Sequence, residues 1–343
     1  MLRNHDVAEL LSREARSHTD HRRRALERAA RAALWRWTVE AAELVAAGRP
    51  LTELELVGPW LATIIGRWLA DPPSLGEPSP LRTGFLTLAD ARATLDAHPD
   101  WAKAYRGDLQ MHTTWSDGAE SLEDMVSGAA ARGYEYVAVT DHSQGLRIAN
   151  GMSEEKLRDQ WRAIEKLRTP GISVLRGLEM NLAPDGTGDM SDDVLSGVDV
   201  VLGAFHSQLR LKDDQTDRYL RALANPTVNV LAHPRGRRYD VRYGLLADWE
   251  RVSRAAAEHD VALEIDSWPD RQDLDVENLR AAAAAGCRIS IDTDAHASDE
   301  LRFVEFGLAA AIRAGIQRER IVNFLPRDEL LAWSRAKRRV ASR

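Results

Sequence analysis

A single cysteine, Cys287, stands in the 343-residue chain. That count excludes an internal disulfide and any zinc–cysteine cluster. In Ala-Gly-Cys-Arg-Ile, ahead of an apolar run, this thiol reads as a packing residue. No apolar stretch approaches the roughly 18 residues a membrane span needs. The first residues, with Arg3, His5, Asp6 and Glu9, lack the apolar segment of a signal peptide, so a cytoplasmic protein without a membrane partner is expected. Net positive charge is also missing: the formal charge is −7. Residues 1–80 balance 11 Arg against 11 Asp and Glu, leaving 35 basic and 42 acidic residues for the remainder. This argues against a large basic nucleic-acid groove, though not against local patches, and an acidic remainder suits a site where cations neutralise carboxylates.

Residues 1–70 read as a helical domain. Val7, Leu10 and Leu11 share one face, and a segment from about His21 to Ala47 places Leu26, Ala30, Ala33, Leu34 and Trp37 at helical spacing. Arg22, Arg23, Arg24, Arg28 and Arg31 form either a solvated helix face or a phosphate-contacting patch. The stretch Leu51 to Leu69, turning at Gly58-Pro59, resembles a helix-hairpin-helix element, a motif whose turn offers backbone N–H groups to phosphate. Leu56 stands where that motif usually has glycine, and Pro59 removes one donor. Residues 71–106 read as a linker, with prolines at 72, 73, 78 and 80, followed by a helical connector. The large domain, 107–343, begins at Gly107.

Seven apolar runs follow, separated by helical sequence: Asp108–His112, Tyr136–Thr140, Ser173–Leu178, Val198–Phe205, Val228–Ala232, Val261–Ile265 and Arg288–Ile291. They are rich in Val, Ile and Leu and barely alternate, as strands buried on both faces do. The repetition implies parallel pairing, in an open doubly wound sheet or a closed barrel. No Gly-x-Gly-x-x-Gly follows the first run, which counts against a dinucleotide-binding site. The runs end at His112 with Asp117 close behind, Asp141-His142, Glu179, His206, His233, Asp266, and Asp292 with Asp294 and His296 just beyond. In parallel α/β folds these ends converge on one face, and five of the ten histidines lie there with several carboxylates. Such a ring predicts a polynuclear metal site suited to phosphate-ester hydrolysis. Two cations about 4 Å apart can acidify a bridging water and hold the leaving oxygen, with Glu179 offering two anionic oxygens between them.

These motifs, Asp-Leu-Gln-Met-His112, Thr140-Asp-His142, Glu179, His206-Ser, Ala232-His-Pro234 and Thr293-Asp-Ala-His296, resemble in order those of the PHP (polymerase and histidinol phosphatase) domain. The likeness is greatest to the PHP domains that end bacterial family X DNA polymerases, through Trp115-Ser-Asp-Gly118, Ala138 to Ser143, Glu264-Ile-Asp266 and Thr293 to Phe303. The helical N-terminal domain is similar to the corresponding part of those polymerases. The fold implied is α/β, a distorted seven-stranded (β/α)7 TIM-like barrel beside a small all-α domain. A family X palm cannot fit between residues 71 and 106, so no polymerase activity is expected.

The resemblance implies two or three divalent ions, manganese first, with zinc or magnesium as alternatives. One ion falls to Gln110, His112, Glu179 and Asp294, a second to Glu179, His206 and His233, and a third to Asp117, His142 and His296. Gln110 departs from the family's usual histidine; an amide oxygen in its place shifts preference from zinc toward manganese or magnesium. Beside the bridging Glu179, the catalytic set includes Asp141 and Asp266, expected to orient imidazoles from behind, a salt bridge being the alternative for each. Arg235 and Lys212 are candidates for meeting a substrate phosphate. Thr113, Ser116 and Ser143 read as loop caps or ligand orienters rather than nucleophiles. The implied activity is a 3′-to-5′ exonuclease or 3′-end-processing phosphodiesterase on DNA. Its rivals are a phosphomonoesterase acting on a small phosphate ester and a non-catalytic DNA-binding protein. DNA 3′ ends are the expected partner, with a separate polymerase or ligase a further one to consider.

Overall fold

The computed structural model describes residues 1–341. The chain divides into two compact units, Met1–His98 and Pro99–Arg343. The first is helical: α1 (Asn4–Ala15), α2 (His21–Trp35), α3 (Ala41–Ala46), α4 (Pro59–Ala70) and α5 (Leu88–Asp96). Asp20 caps α2 by accepting from the Arg22 amide. The helix expected to run on to Ala47 breaks after Trp35. Trp37 turns into the core and its indole donates to the Glu55 carbonyl at 2.9 Å, an interaction a continuous helix would forbid. At the hairpin, a 3-10 turn (Leu51–Glu53) leads to Pro59 at the first position of α4, where its missing N–H costs nothing. Leu56 takes φ +63°, the left-handed conformation a glycine would adopt more readily.

The second unit opens with α6 (Pro99–Ala104) and then alternates strand and helix. Its strands are β1 (Gly107–Met111), β2 (Tyr136–Val139), β3 (Ser173–Asn181), β4 (Val200–Ala204), β5 (Val230–Ala232), β6 (Ala262–Asp266) and β7 (Ile289–Asp292). Between them lie α7 (Leu122–Ala131), α8 (Glu154–Lys166), α9 (Asp192–Leu195), α10 (Thr216–Ala224), α11 (Trp249–Glu258) and α12 (Val276–Ala285). After β7 come α13 (Val304–Ala314) and α14 (Arg327–Ala341). All neighbouring strands pair in parallel, in sequence order. The sheet curls until β1 returns to β7: Met111 bridges Ala295, and the His112 amide donates to the Ala295 carbonyl at 2.8 Å. The result is a nearly closed seven-stranded parallel barrel with helices outside, the closed form of the two that the run-and-helix repeat allows and the one the PHP resemblance implies.

Two glycines set the shape of the first strand and its loop. A Cβ on Gly107 would fall 2.0 Å from the Tyr136 carbonyl oxygen, so only glycine admits this approach of β1 to β2. A Cβ on Gly118 would strike the backbone of His112 and Thr113 at 2.6 Å, so the loop after β1 can fold tightly back and bring Asp117 beside His112. Opposite the strand ends, the barrel bottom is filled by Val322 and by Leu330, Leu331 and Trp333 of α14, packed on Tyr136 and Val200. Asn323 knits this end: its amide donates to the carbonyls of Gly107 and Ile291 and to Asp292, and its Oδ1 accepts from the Ile291 amide. Among the described residues no helix is long and apolar enough to cross a membrane.

Candidate metal centre

Glu179, near the end of β3, lies fully buried at the middle of the strand-end face. Its Oε1 is 2.8 Å from His233 Nε2 and 3.0 Å from His206 Nε2; its Oε2 is 3.2 Å from both His112 Nε2 and His142 Nδ1. Four imidazoles from the ends of β1, β2, β4 and β5 thus converge on one carboxylate. The two Oε2 approaches are close but lack hydrogen-bond alignment, and Glu179 Oε2 and His142 Nδ1 have no hydrogen-bond partner. Burial alone would raise the Glu179 carboxyl; the surrounding histidines instead hold it well below the usual carboxylate range.

Around this centre the ligand-type residues fall into three overlapping groups that could hold ions, each offering atoms within 4.8 Å of one another: His112, Glu179 and Asp294; His142, Glu179 and His206; and His112, Asp117, His142 and His296. His112 Nε2 lies 2.8 Å from Asp294 Oδ1, while Asp117 Oδ1 stands 3.5 Å from Nε2 of both His142 and His296. The His112 ring is stacked between His142 and His296 at centroid distances of 4.4 and 4.5 Å. Burial lowers His142 to about 4 against the pull of Glu179, which favours the neutral imidazole a metal requires. His296 Nδ1 contacts the Asp294 carbonyl at 2.7 Å and His206 Nδ1 contacts Asn181 Oδ1 at 3.1 Å, leaving Nε2 of each ring directed to the centre.

Gln110 is fully buried in β1 and neither amide atom has a hydrogen-bond partner. Orphaned buried amides are costly, and a cation accepting the carbonyl oxygen would relieve half of that cost. The donor set of imidazoles, carboxylates and one amide therefore fits hard-to-borderline divalent ions. The backbone contributes too: His233 and Asp294 both have positive φ, +26° and +51°, conformations rarely found outside glycine and common at functional sites.

Other expected residues fall elsewhere. Among the described residues, neither Asp141 nor Asp266 hydrogen-bonds an imidazole, contrary to the orienting role expected of them. Asp141 instead organises the loop after β1, accepting from the amide and hydroxyl of Thr113 (2.9 and 2.7 Å), the amide and hydroxyl of Ser116 (3.1 and 2.5 Å) and the Gln160 amide (2.6 Å). Asp266 accepts from the Trp268 amide at 2.7 Å and pairs with Arg271 at 3.3 Å, and burial pushes its carboxyl up to about 8. Ser143 donates to Asp189 at 2.7 Å and tethers the loop after β2. Arg235 is buried rather than presented to solvent. It is ion-paired with Asp275 and donates to the Tyr243 carbonyl at 3.1 Å. Lys212 is exposed in the loop after β4.

Arg271 was not singled out by sequence pattern. It reaches from the loop after β6 to ion-pair with Asp294, at the centre of the site. The signal is five charged residues from Asp266 to Asp275 inclusive, which in one dimension look like an ordinary polar loop. Asp108 carries no distinguishing pattern in sequence either: fully buried, it accepts from the Thr293 hydroxyl at 2.7 Å and supports the turn into Asp294.

The strand-end face of this parallel barrel thus gathers a ring of histidines and carboxylates that could hold divalent ions. The model of the PHP domain matches residues 108–266. The chain is 30% identical over 238 residues to the probable phosphatase YcdX of Escherichia coli O139:H28, covering 65% of this chain and 91% of that one. This chain therefore belongs to the PHP-domain phosphoesterase family. It is also 38% identical over 221 residues to the DNA polymerase/3′-5′ exonuclease PolX of Bacillus subtilis, covering 64% of this chain but only 39% of that protein's length. Among solved structures, histidinol phosphate phosphatase from Lactococcus lactis, complexed with zinc, L-histidinol and phosphate, superposes with a TM-score of 0.44 at 18% identity, covering 62% of this chain and 95% of that one.

Proposed function

We propose that this protein is a metal-dependent phosphodiesterase that shortens or trims DNA from its 3′ end. The observation that carries the reading is the convergence of His112, His142, His206 and His233 on the buried Glu179, with Asp117, Asp294 and His296 completing the ring. Glu179 with His112, Asp294 and Gln110 would hold one ion, Glu179 with His206 and His233 a second, and Asp117 with His142 and His296 a third. Bound divalent ions supply charge for an attacking water and for the departing oxygen. The protein's own part is to fix that constellation. Glu179 presents both oxygens from a strand rather than a loop, Asn181 and the Asp294 carbonyl set the rotation of His206 and His296, and Asp141 holds the segment between His112 and Asp117. Arg271, 32% exposed between two buried carboxylates, is positioned to meet a phosphate oxygen.

Similarity to the exonuclease-bearing polymerase favours DNA; coverage of 91% of a probable phosphatase favours the second reading, a phosphomonoesterase for a small ester. The deciding experiment is incubation of a 5′-labelled single-stranded oligonucleotide with the protein in manganese, with the His233→Ala protein alongside. Stepwise loss from the 3′ end by wild type alone is expected. An intact oligonucleotide together with hydrolysis of a phosphomonoester would overturn the first reading in favour of the second.

A further inference from the structure

The loops after β4 and β5 flank His206 and His233, and they carry a cluster of exposed apolar side chains: Leu211 (37%), Val241 (47%), Tyr243 (47%) and Leu246 (41%). The two loops are tied together. The Gln215 amide donates to the Leu246 carbonyl at 2.8 Å, Asp214 bridges Leu246, and Arg210 reaches the Val241 carbonyl at 3.4 Å. Tyr243 is held in place: the Arg235 guanidinium lies 4.8 Å from its ring centroid and also donates to its carbonyl, while Arg235 is itself anchored by Asp275. One face of the ring is thus backed by a fixed cation while nearly half of the residue remains exposed. Both loops leave strands that end at His206 and His233, so the patch lies on the strand-end face that carries the candidate metal centre. Of the six Arg and Lys in residues 207–215 and 234–247, Arg235, Arg237 and Arg238 are ion-paired with Asp275 and Asp270, while Arg210 and Lys212 stand exposed in the loop after β4.

An immobilised aromatic ring, flanking aliphatic groups and the two exposed cations Arg210 and Lys212, on the face of the candidate phosphate-ester site, match the chemistry of a single-stranded nucleic acid, whose bases stack on aromatic rings while cations follow the backbone. We infer that the Tyr243 patch receives the bases of the single-stranded 3′ segment whose scissile phosphate lies at the Glu179 centre, with Arg210 and Lys212 facing the adjoining backbone. This rests on the phosphodiesterase reading and adds what that reading lacks, a reason to prefer a polynucleotide over a small ester. Arg235 then acts on substrate through Tyr243, as a positioning residue, rather than by touching phosphate.

The test uses the full-length protein in manganese with two substrates, a single-stranded oligonucleotide and bis(p-nitrophenyl) phosphate, a diester without a base. Tyr243→Ala should lower the ratio of kcat/KM for the oligonucleotide to that for the small diester by about tenfold, mainly through KM, and Tyr243→Phe should restore it. Val241→Asp, which puts a like charge beside the incoming backbone, should lower the ratio in the same direction. If wild type degrades the oligonucleotide and both variants leave the ratio unchanged, the patch assignment fails while the phosphodiesterase reading stands. A variant that turns a dimer into a monomer with an unchanged ratio would assign the patch to a second copy of the chain instead. A wild type that cleaves the small diester but never the oligonucleotide would overturn both proposals.

Discussion

The two ends of the barrel are built on opposite rules. At the bottom, Asn323 satisfies four partners at 2.7–3.0 Å, the Tyr136 hydroxyl sits 3.1 Å from two carbonyls, and apolar side chains of α14 close what is left. At the top, four imidazoles crowd one carboxylate, a glutamine amide is buried without a partner, and two non-glycine residues hold positive φ. At the bottom the Trp333 indole N–H is also without a partner, but the Asn323 amide and the Tyr136 hydroxyl are fully engaged. At the top the unpartnered atoms are of ligand type, Glu179 Oε2, His112 Nδ1, His142 Nδ1 and the Gln110 amide, a set that a bound cation could complete in part.

Mutations should separate the two ends, and the largest effect belongs to the top. Glu179→Gln keeps the volume but removes the charge that four histidines share. Metal content measured by plasma mass spectrometry should collapse, and turnover should fall well beyond the roughly 10–100-fold typical of outer-shell partners. Full activity with normal metal content would mean that the centre is not organised around Glu179. Asp141→Asn should come next. Because Asp141 acts on Thr113 and Ser116 rather than on an imidazole, a loss of about 10–100-fold in metal affinity or rate is expected, with helical content by circular dichroism unchanged.

At the bottom the expected pattern reverses. Asn323→Ala strips partners from buried backbone groups of β1 and β7 and should cost about 3 kcal/mol in urea unfolding while the folded protein keeps its metal. Equal losses of metal and stability would show that the two ends are coupled. The smallest effect is expected at Lys337 of α14, whose ammonium donates to the Val228 carbonyl at 2.6 Å and which burial lowers to about 7. Between about pH 7 and the ordinary lysine value near 10.4 the unfolded chain holds the extra proton, so this residue makes stability rise with pH across that window. Lys337→Met should flatten the difference between unfolding curves recorded at pH 7 and pH 9.

How much of this was legible in sequence follows from the range of each interaction. The seven strands show as short apolar runs, and the residues at their ends are fixed by where each run stops, so His112, Glu179, His206 and His233 could be placed on one rim before any coordinates. The break after Trp35 depends on an indole meeting the carbonyl of Glu55, 18 residues away, which no local propensity encodes. The partners of Asp141 lie on a neighbouring loop and on α8, and Arg271 finds Asp294 across 23 residues of chain, so their roles emerge only when the barrel closes. Arg235 misled for the opposite reason: next to His233-Pro234 it looks like a surface cation, whereas Asp275, 40 residues on, draws it inward.

The left-handed backbone at His233 and Asp294 also bears on how this protein would respond to selection for heat resistance. Each position costs on the order of 1–3 kcal/mol, which a glycine would recover without moving the chain. Yet Asp294→Gly would also leave the partly buried Arg271 and the buried His112 without their carboxylate, and His233→Gly would strip a partner from Glu179, losses of about 3–5 kcal/mol that outweigh the strain recovered, so selection for heat resistance finds no exit at these two codons.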